Sequence, residues 1–194
     1  MILEFRLGNI FSFRDEITLN LQAAKIQTEK GKALNGNLFD IAGDQALDSL
    51  SICGANASGK SNVIKGIIAC IDMIRSSHTY NEGTIFSVVP FKFDGYDQKP
   101  SSFFVRFILN EIEYEYSFTM TRTEILTEQL YYYPKGRRSL VFSRDETKGE
   151  DKKNIFALPE ANVIDIVFSE RFKRNYSVGE VKMATNVYGK GRSF

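Results

Sequence analysis

A chain of 194 residues has room for one domain, or one and a fraction, and is long enough to bury a core without disulfide or metal staples. Hydrophobic residues make up 43% and charged residues 25%, which excludes a disordered chain, and 25 basic against 24 acidic side chains leave a formal charge of +1 with no electrostatic footprint for nucleic acid or an anionic membrane. Two cysteines, Cys53 and Cys70, and one histidine, His78, exclude a disulfide framework, a four-ligand zinc site and a His-driven hydrolase.

No apolar run approaches the ~20 residues of a membrane span. Met1-Ile2-Leu3-Glu4-Phe5-Arg6 lacks the basic start and apolar stretch of a signal peptide, so a reducing cytoplasm is the expected compartment and no membrane partner is expected.

Leu3, Phe5 and Leu7 alternate with Glu4 and Arg6, which predicts a half-buried strand. Ile17, Leu19 and Leu21 predict a second strand, antiparallel to the first across the short connection 9–15. Residues 22–43 are polar, carry three glycines and read mainly as loop. Leu47 to Cys53 reads as a short strand running into Gly54-Ala55-Asn56-Ala57-Ser58-Gly59-Lys60-Ser61. Val63, Ile64, Ile67, Ile68, Ile71 and Ile74 then recur at helical spacing and predict a helix from about Lys60 to Arg75. Its β-branched content means that burial must hold it, and Gly66 reads as a weak spot. From Phe86 the period changes to two. Phe91 and Phe93 alternate with Lys92 and Asp94. Phe103–Leu109, Ile112–Phe118, Glu124–Tyr133 and Ser139–Ser143 form a meander, with Asn110-Glu111 as a tight turn and Pro134-Lys135-Gly136 as another connection. Residues 145–154 are a charged run that reads as a solvated loop or hairpin tip, and 188–194 read as a loose tail.

Gly54 to Ser61 fits G-x-x-x-x-G-K-[ST], placed between a predicted strand and an apolar-periodic helix. Each position has a physical role in holding a triphosphate. Gly54 and Gly59 let the backbone turn tightly and approach an anion. Backbone N–H groups around Ser58 to Ser61 cradle the β-phosphate, with Asn56, Ala57 and Asn62 completing the loop and its exit, and the positive helix end adds to that field. Lys60 reaches the β- and γ-phosphates, and Ser61 offers a hydroxyl ligand to Mg²⁺. ATP and Mg²⁺ are therefore the expected ligands. Cys53 and Cys70 read as small buried residues, and His78 as a surface residue or cap.

Two antiparallel strands before the loop and a meander after its helix resemble the ATP-binding head of the ABC/SMC/RecF group. The opening Ile2-Leu-Glu-Phe-Arg-Leu-Gly-Asn-Ile-Phe-Ser-Phe-Arg-Asp-Glu16 resembles that of the bacterial AAA-type ATP-binding proteins related to the OLD and abortive-infection ATPases, which has a strand, an Asn-Phe-x-Ser-Phe-like turn and a second strand. Here Ile10 stands where that family usually has Phe, and the aromatic has moved to Phe11. Gly54-Ala-Asn-Ala-Ser-Gly-Lys-Ser-Asn62 matches the family's loop wording, with Asn56 and Asn62 as finer marks. Pro90-Phe91, Pro100, Phe103-Phe104, Tyr114-x-Tyr116, Ile125-x-x-Glu128-x-Leu130 and Leu140-Val-Phe142-x-Arg144 resemble its β-region, so the likeness spans about residues 1–145. It implies an α/β P-loop NTPase fold of ABC/SMC-head type, a mixed sheet with an antiparallel meander, and one ATP-binding domain over 1–194 forming the N-terminal lobe of a head.

The resemblance also implies parts that the residues do not supply. A Walker B strand ends in Asp-Glu, yet the nearest segment, Val163-Ile-Asp-Ile-Val-Phe-Ser-Glu170, has Ser169 in the Asp position. Tyr176-Ser-Val-Gly-Glu180 resembles the ABC signature, and Gln98 and Gln129 are candidates for the Q-loop glutamine. No catalytic residue is assignable. The expectation is an incomplete head: a shortened chain, a split subunit or a degenerate product. By resemblance it is an ATPase lobe in phage defence or DNA maintenance. It would work as a homo-oligomer or with a partner ATPase or effector subunit, and would meet nucleic acid only in the full assembly. A non-catalytic nucleotide-sensing or scaffold module is the alternative, and a DNA-binding protein in its own right is a third reading that the charge opposes.

Overall fold

The computed structural model describes residues 1–24, 35–41, 43–81, 84–148 and 154–155. Strand β1 (Ile2–Gly8) pairs antiparallel with β2 (Ile17–Asn20) on one side. A small hairpin, β3 (Leu38–Ile41) and β4 (Asp44–Leu47), forms a two-stranded sheet tied to the chain after β2 by Ala23 N–H to Gln45 O and Leu47 N–H to Leu21 O, both 2.8 Å. Helix α1 (Lys60–Ser76) follows. The meander is β5 (Ser101–Leu109), β6 (Ile112–Met120), β7 (Ile125–Tyr132) and β8 (Ser139–Asp145), closed by the short β9 (Asn154–Ile155). The sheet order is β2-β1-β5-β6-β7-β8-β9, and each ladder between described strands is antiparallel.

The hairpin between β5 and β6 closes through Asn110 and Glu111, both at positive φ (49° and 63°), which matches the right-handed twist of the flanking strands even without glycine. A bulge at Leu3 turns its side chain away from Phe5 and Leu7, toward Ala46 and Ile108 under the β3–β4 hairpin. The main core lies on the other face of the sheet. There Phe5, Leu7, Phe103, Val105, Phe118 and Met120 meet Ala69, Cys70 and Met73 of α1.

Gly66 is not a weak spot. It is buried in α1, and a Cβ there would stand 2.8 Å from Leu7 Cδ1, so the missing side chain lets helix and sheet approach. Gly66→Ala gains helix propensity worth at most about 1 kcal/mol but overpacks the core by about 1–3 kcal/mol. Leu7 is only 2% exposed and has little room to yield, so a net loss of roughly 1 kcal/mol is expected in urea unfolding.

Other expectations about the strands change in detail. Within 22–43 the structure shows one strand, 38–41, which pairs with 44–47 in a hairpin, while 25–34 and 42 lie outside the described residues. Leu47 to Cys53 is not a strand: β4 ends at Leu47, and 48–55 form no ladder. Every described ladder is antiparallel, so no pair of described strands is joined by a crossover through α1. The mixed sheet is likewise absent among the described residues. The alternation at Phe91 and Phe93 does not form a strand either. That segment is held by Asn9, whose Oδ1 accepts the Phe91 N–H at 3.1 Å, and its rings pack edge to face at 5.5 Å. The charged run begins as the end of β8 and a turn over 146–148, and residues 149–153 lie outside the described residues.

Candidate functional site

Gly54 to Ser61 forms an exposed loop that turns into the first residues of α1. Gly59 caps the helix at φ 91°, a left-handed conformation open to glycine at no steric cost, and no side chain caps the helix. Ala57 also stands at positive φ (61°), an uncommon state for a residue with a Cβ. These reversals curl the main chain into a concave turn of the kind that gathers N–H groups around an anion. The first N–H groups of a helix have no intrahelical acceptor, so those of Lys60 and Ser61 are left for an outside acceptor at the positive end of the helix dipole, beside the loop's hollow. Lys60 spans this hollow. Its ammonium donates to Gly54 O at 2.8 Å and Ala55 O at 2.6 Å, and lies 3.4 Å from Ser58 Oγ. Gly54 is small for a reason as well, since a Cβ would sit 2.9 Å from Ser58 Oγ. The Ser61 side chain is exposed at the helix start, beside Asn62.

A second element meets the loop. The turn after β1 closes on itself through two hydrogen bonds, Ile10 N–H to Phe13 O and Phe13 N–H to Ile10 O, both 2.9 Å. From it, Ser12 Oγ accepts a hydrogen bond from Asn62 Nδ2 at 2.9 Å. The Phe13 ring lies over Gly59, where a Cβ would meet Cζ at 3.1 Å.

The family model described as "AAA domain, putative AbiEii toxin, Type IV TA system" matches residues 50–177, about two thirds of the chain and the whole of the loop and helix. The chain belongs to this AAA domain family. No curated protein and no solved structure matches it. An AAA domain is a nucleotide-binding ATPase module, and in this one the loop leads into a helix packed on an antiparallel sheet. Among the described residues, no helix is long and apolar enough to cross a membrane.

The other sequence candidates fall elsewhere in this AAA domain. Gln129 lies on the face of the sheet away from α1, its amide 3.4 Å from Ser143 Oγ. It lines a shallow groove of about 290 Å³ with Arg6, Ser102, Thr119, Thr127 and Asp145, and no loop residue reaches that groove. Gln98 is exposed and donates to its neighbour Asp97 at 2.7 Å. His78 follows α1 in a short helical turn, Ser77–Thr79. The Walker B-like segment 163–170, the signature-like segment 176–180 and the tail 188–194 lie outside the described residues.

The two cysteines divide. Cys70 is buried on the sheet-facing side of α1, and burial pushes its thiol up to about 12. Cys53 is exposed directly before Gly54, contrary to the reading of it as a buried residue. An aromatic disulfide reagent at pH 8 is therefore expected to titrate one thiol in the folded protein and two in urea. Two fast thiols under native conditions would show that the helix is not packed on the sheet.

One buried cluster escaped the sequence reading. Arg144 is 3% exposed. Its Nη2 donates to Glu128 Oε2 at 2.9 Å, and the Tyr116 hydroxyl donates to the other oxygen of Glu128. Burial first, and then the Glu128 carboxylate, hold the Tyr116 phenol well above its usual range. The signal was present. Glu128 stands between Leu126 and Leu130 on a strand of period two, and Arg144 stands two residues beyond Phe142, so a carboxylate and a guanidinium fall on one apolar face.

Proposed function

We propose that this AAA domain binds ATP with Mg²⁺ through residues 54–62, as the N-terminal lobe of an ABC/OLD-like ATPase working in phage defence or DNA maintenance. The observation that carries the reading is Lys60, whose ammonium is held across the mouth of a glycine-capped helix start. In that role the amides of Ser58, Gly59, Lys60 and Ser61 hold the β-phosphate, with Gly54, Asn56 and Ala57 shaping the loop. Lys60 spans the β- and γ-oxygens, and Ser61 gives the metal its hydroxyl ligand. The chemistry of the donor set fits. An ammonium and the N–H groups at a helix start meet a polyanion, and an alcohol oxygen suits a hard divalent ion that keeps most of its waters. Mg²⁺, when bound, would neutralise charge on the phosphates, while the chain's own groups orient them.

Hydrolysis also requires a group that positions the attacking water and a carboxylate for the metal, and no described residue near the loop offers either. Nucleotide capture is accordingly the step assigned to residues 54–62. The exposed side chains Ile64 (49%) and Ile68 (58%) on the outer side of α1 support the need for a second copy or a partner subunit. Residence in the cytoplasm fits the exposed free thiol of Cys53.

Calorimetric titration of the full chain with Mg·ATP, inorganic tripolyphosphate and adenosine tests the reading. Binding of the first two without the third is expected. Adenosine binding alone would overturn a phosphate-centred site. Phosphate release by the lone chain that disappears in Lys60→Ala would establish an enzyme, and saturable binding without release would favour the nucleotide-sensing or scaffold alternative.

A further inference from the structure

The phosphate loop has little to hold it. Its hydrogen bonds are mostly internal: Ser58 N–H to Ala55 O at 3.3 Å, Asn62 N–H to Gly59 O at 2.8 Å, and those of the Lys60 ammonium. Among the described residues, the hydrogen bond that ties 54–62 to a distant part of the chain is Asn62 Nδ2 to Ser12 Oγ, fifty residues upstream. The apolar contact at the same place is Phe13 on Gly59.

The turn carrying these two residues is, by contrast, fixed at both ends. Ile10 is fully buried, and the Phe11 N–H donates to Val89 O at 2.8 Å. Asn9 is a hub. Its Nδ2 donates to Tyr96 O and Lys99 O, both at 2.9 Å, and its carbonyl accepts from Ser101 Oγ at 2.6 Å. Asn9 and Phe11 both hold positive φ (49° and 51°) without being glycine, a state that persists where surrounding contacts over-determine it. A rigid turn thus presses on a loosely held loop at the two places that set its shape, the left-handed cap and the residue after the metal-side serine.

We propose that Ser12 and Phe13 are positioning residues of the phosphate site, holding Gly59 and Asn62 so that the amides of residues 58–61 converge before the nucleotide arrives. The proposal rests on the phosphate-binding reading and adds to it the upstream turn as the device that preorganises the loop. Ser12 is exposed, and an exposed hydroxyl contributes little to global stability, so its effect belongs in affinity rather than in melting temperature.

A double-mutant cycle on the full chain, read by calorimetric Mg·ATP affinity, tests it. Ser12→Ala and Asn62→Ala are each expected to weaken binding about threefold to tenfold. The double variant should be no weaker than the worse single one, because both remove the same hydrogen bond. Ser12→Thr, which keeps the hydroxyl, should restore parental affinity, and all variants should melt within about 2 °C of the parent. Phe13→Leu keeps apolar bulk but withdraws the ring from Gly59. It should speed amide hydrogen exchange at Gly59–Asn62 and lower affinity as well. A parent that binds ATP with Ser12→Ala indistinguishable from it, or single effects that multiply, would overturn this proposal alone. A parent that binds neither ATP nor tripolyphosphate would overturn the phosphate reading and this proposal together.

Discussion

Lys60→Ala is expected to weaken Mg·ATP binding about 100-fold. The ammonium is already desolvated in part by two loop carbonyls at 2.6 and 2.8 Å, so little ordering remains to be done when a polyphosphate arrives. Charge-assisted hydrogen bonds to two phosphate groups are worth about 3 kcal/mol together, which is that factor of 100. Lys60→Arg should not rescue the loss, because a broad planar fork does not fit a hollow that holds a compact point charge. Titration calorimetry at fixed Mg²⁺ reads both results. The melting temperature of Lys60→Ala should stay near that of the parent, since the side chain bonds only to its own loop. Equal affinity of Lys60→Ala and the parent would remove Lys60 from the site.

The second large effect is on stability and lies far from the loop. Arg144→Ala leaves the Glu128 carboxylate, whose side chain is 16% exposed, with one hydroxyl donor and no cation. Breaking one side of a buried pair costs about 3 kcal/mol, so the melting temperature should fall by roughly 6–12 °C. The double variant Arg144→Met with Glu128→Gln should recover most of that loss, because it removes both charges and keeps the volume. Arg144 Nε and Nη1 make no hydrogen bond, and Glu146 stands 4.0 Å from Nη1, so the pair is not an optimal one and its replacement is cheap. Thermal unfolding of the three proteins decides this. An unchanged midpoint for Arg144→Ala would mean that Glu128 finds another partner or solvent.

The elements that read clearly from sequence were those whose order is local. Helix α1 starts at Lys60 and runs one residue past the expected Arg75, because Ile67, Cys70, Met73 and Ile74 pack at helical spacing and Gly59 supplies the break. The meander was legible through period two, and Asn110-Glu111 marked its tightest turn. Leu47 to Cys53 misled, because an apolar run becomes a strand only where another strand offers hydrogen bonds. Phe91 and Phe93 misled for a similar reason: their backbone serves the Asn9 hub rather than a ladder. In the site, the spacing of Gly54, Gly59, Lys60 and Ser61 was legible because loop and helix are contiguous. The bracing by Ser12 and Phe13 was not, since nothing in a pattern of residues tells how a turn at position 12 meets a loop at position 59.

The most direct measurement is a map of backbone amide shifts across the ¹⁵N-labelled full chain as Mg·ATP is added. The largest movements are expected at Gly59, Lys60, Ser61 and Asn62, with a smaller response at Ser12 and Phe13, and tripolyphosphate should reproduce them. A spectrum that does not change at millimolar nucleotide, or one that changes on the groove around Gln129 and leaves residues 54–62 still, would contradict that expectation.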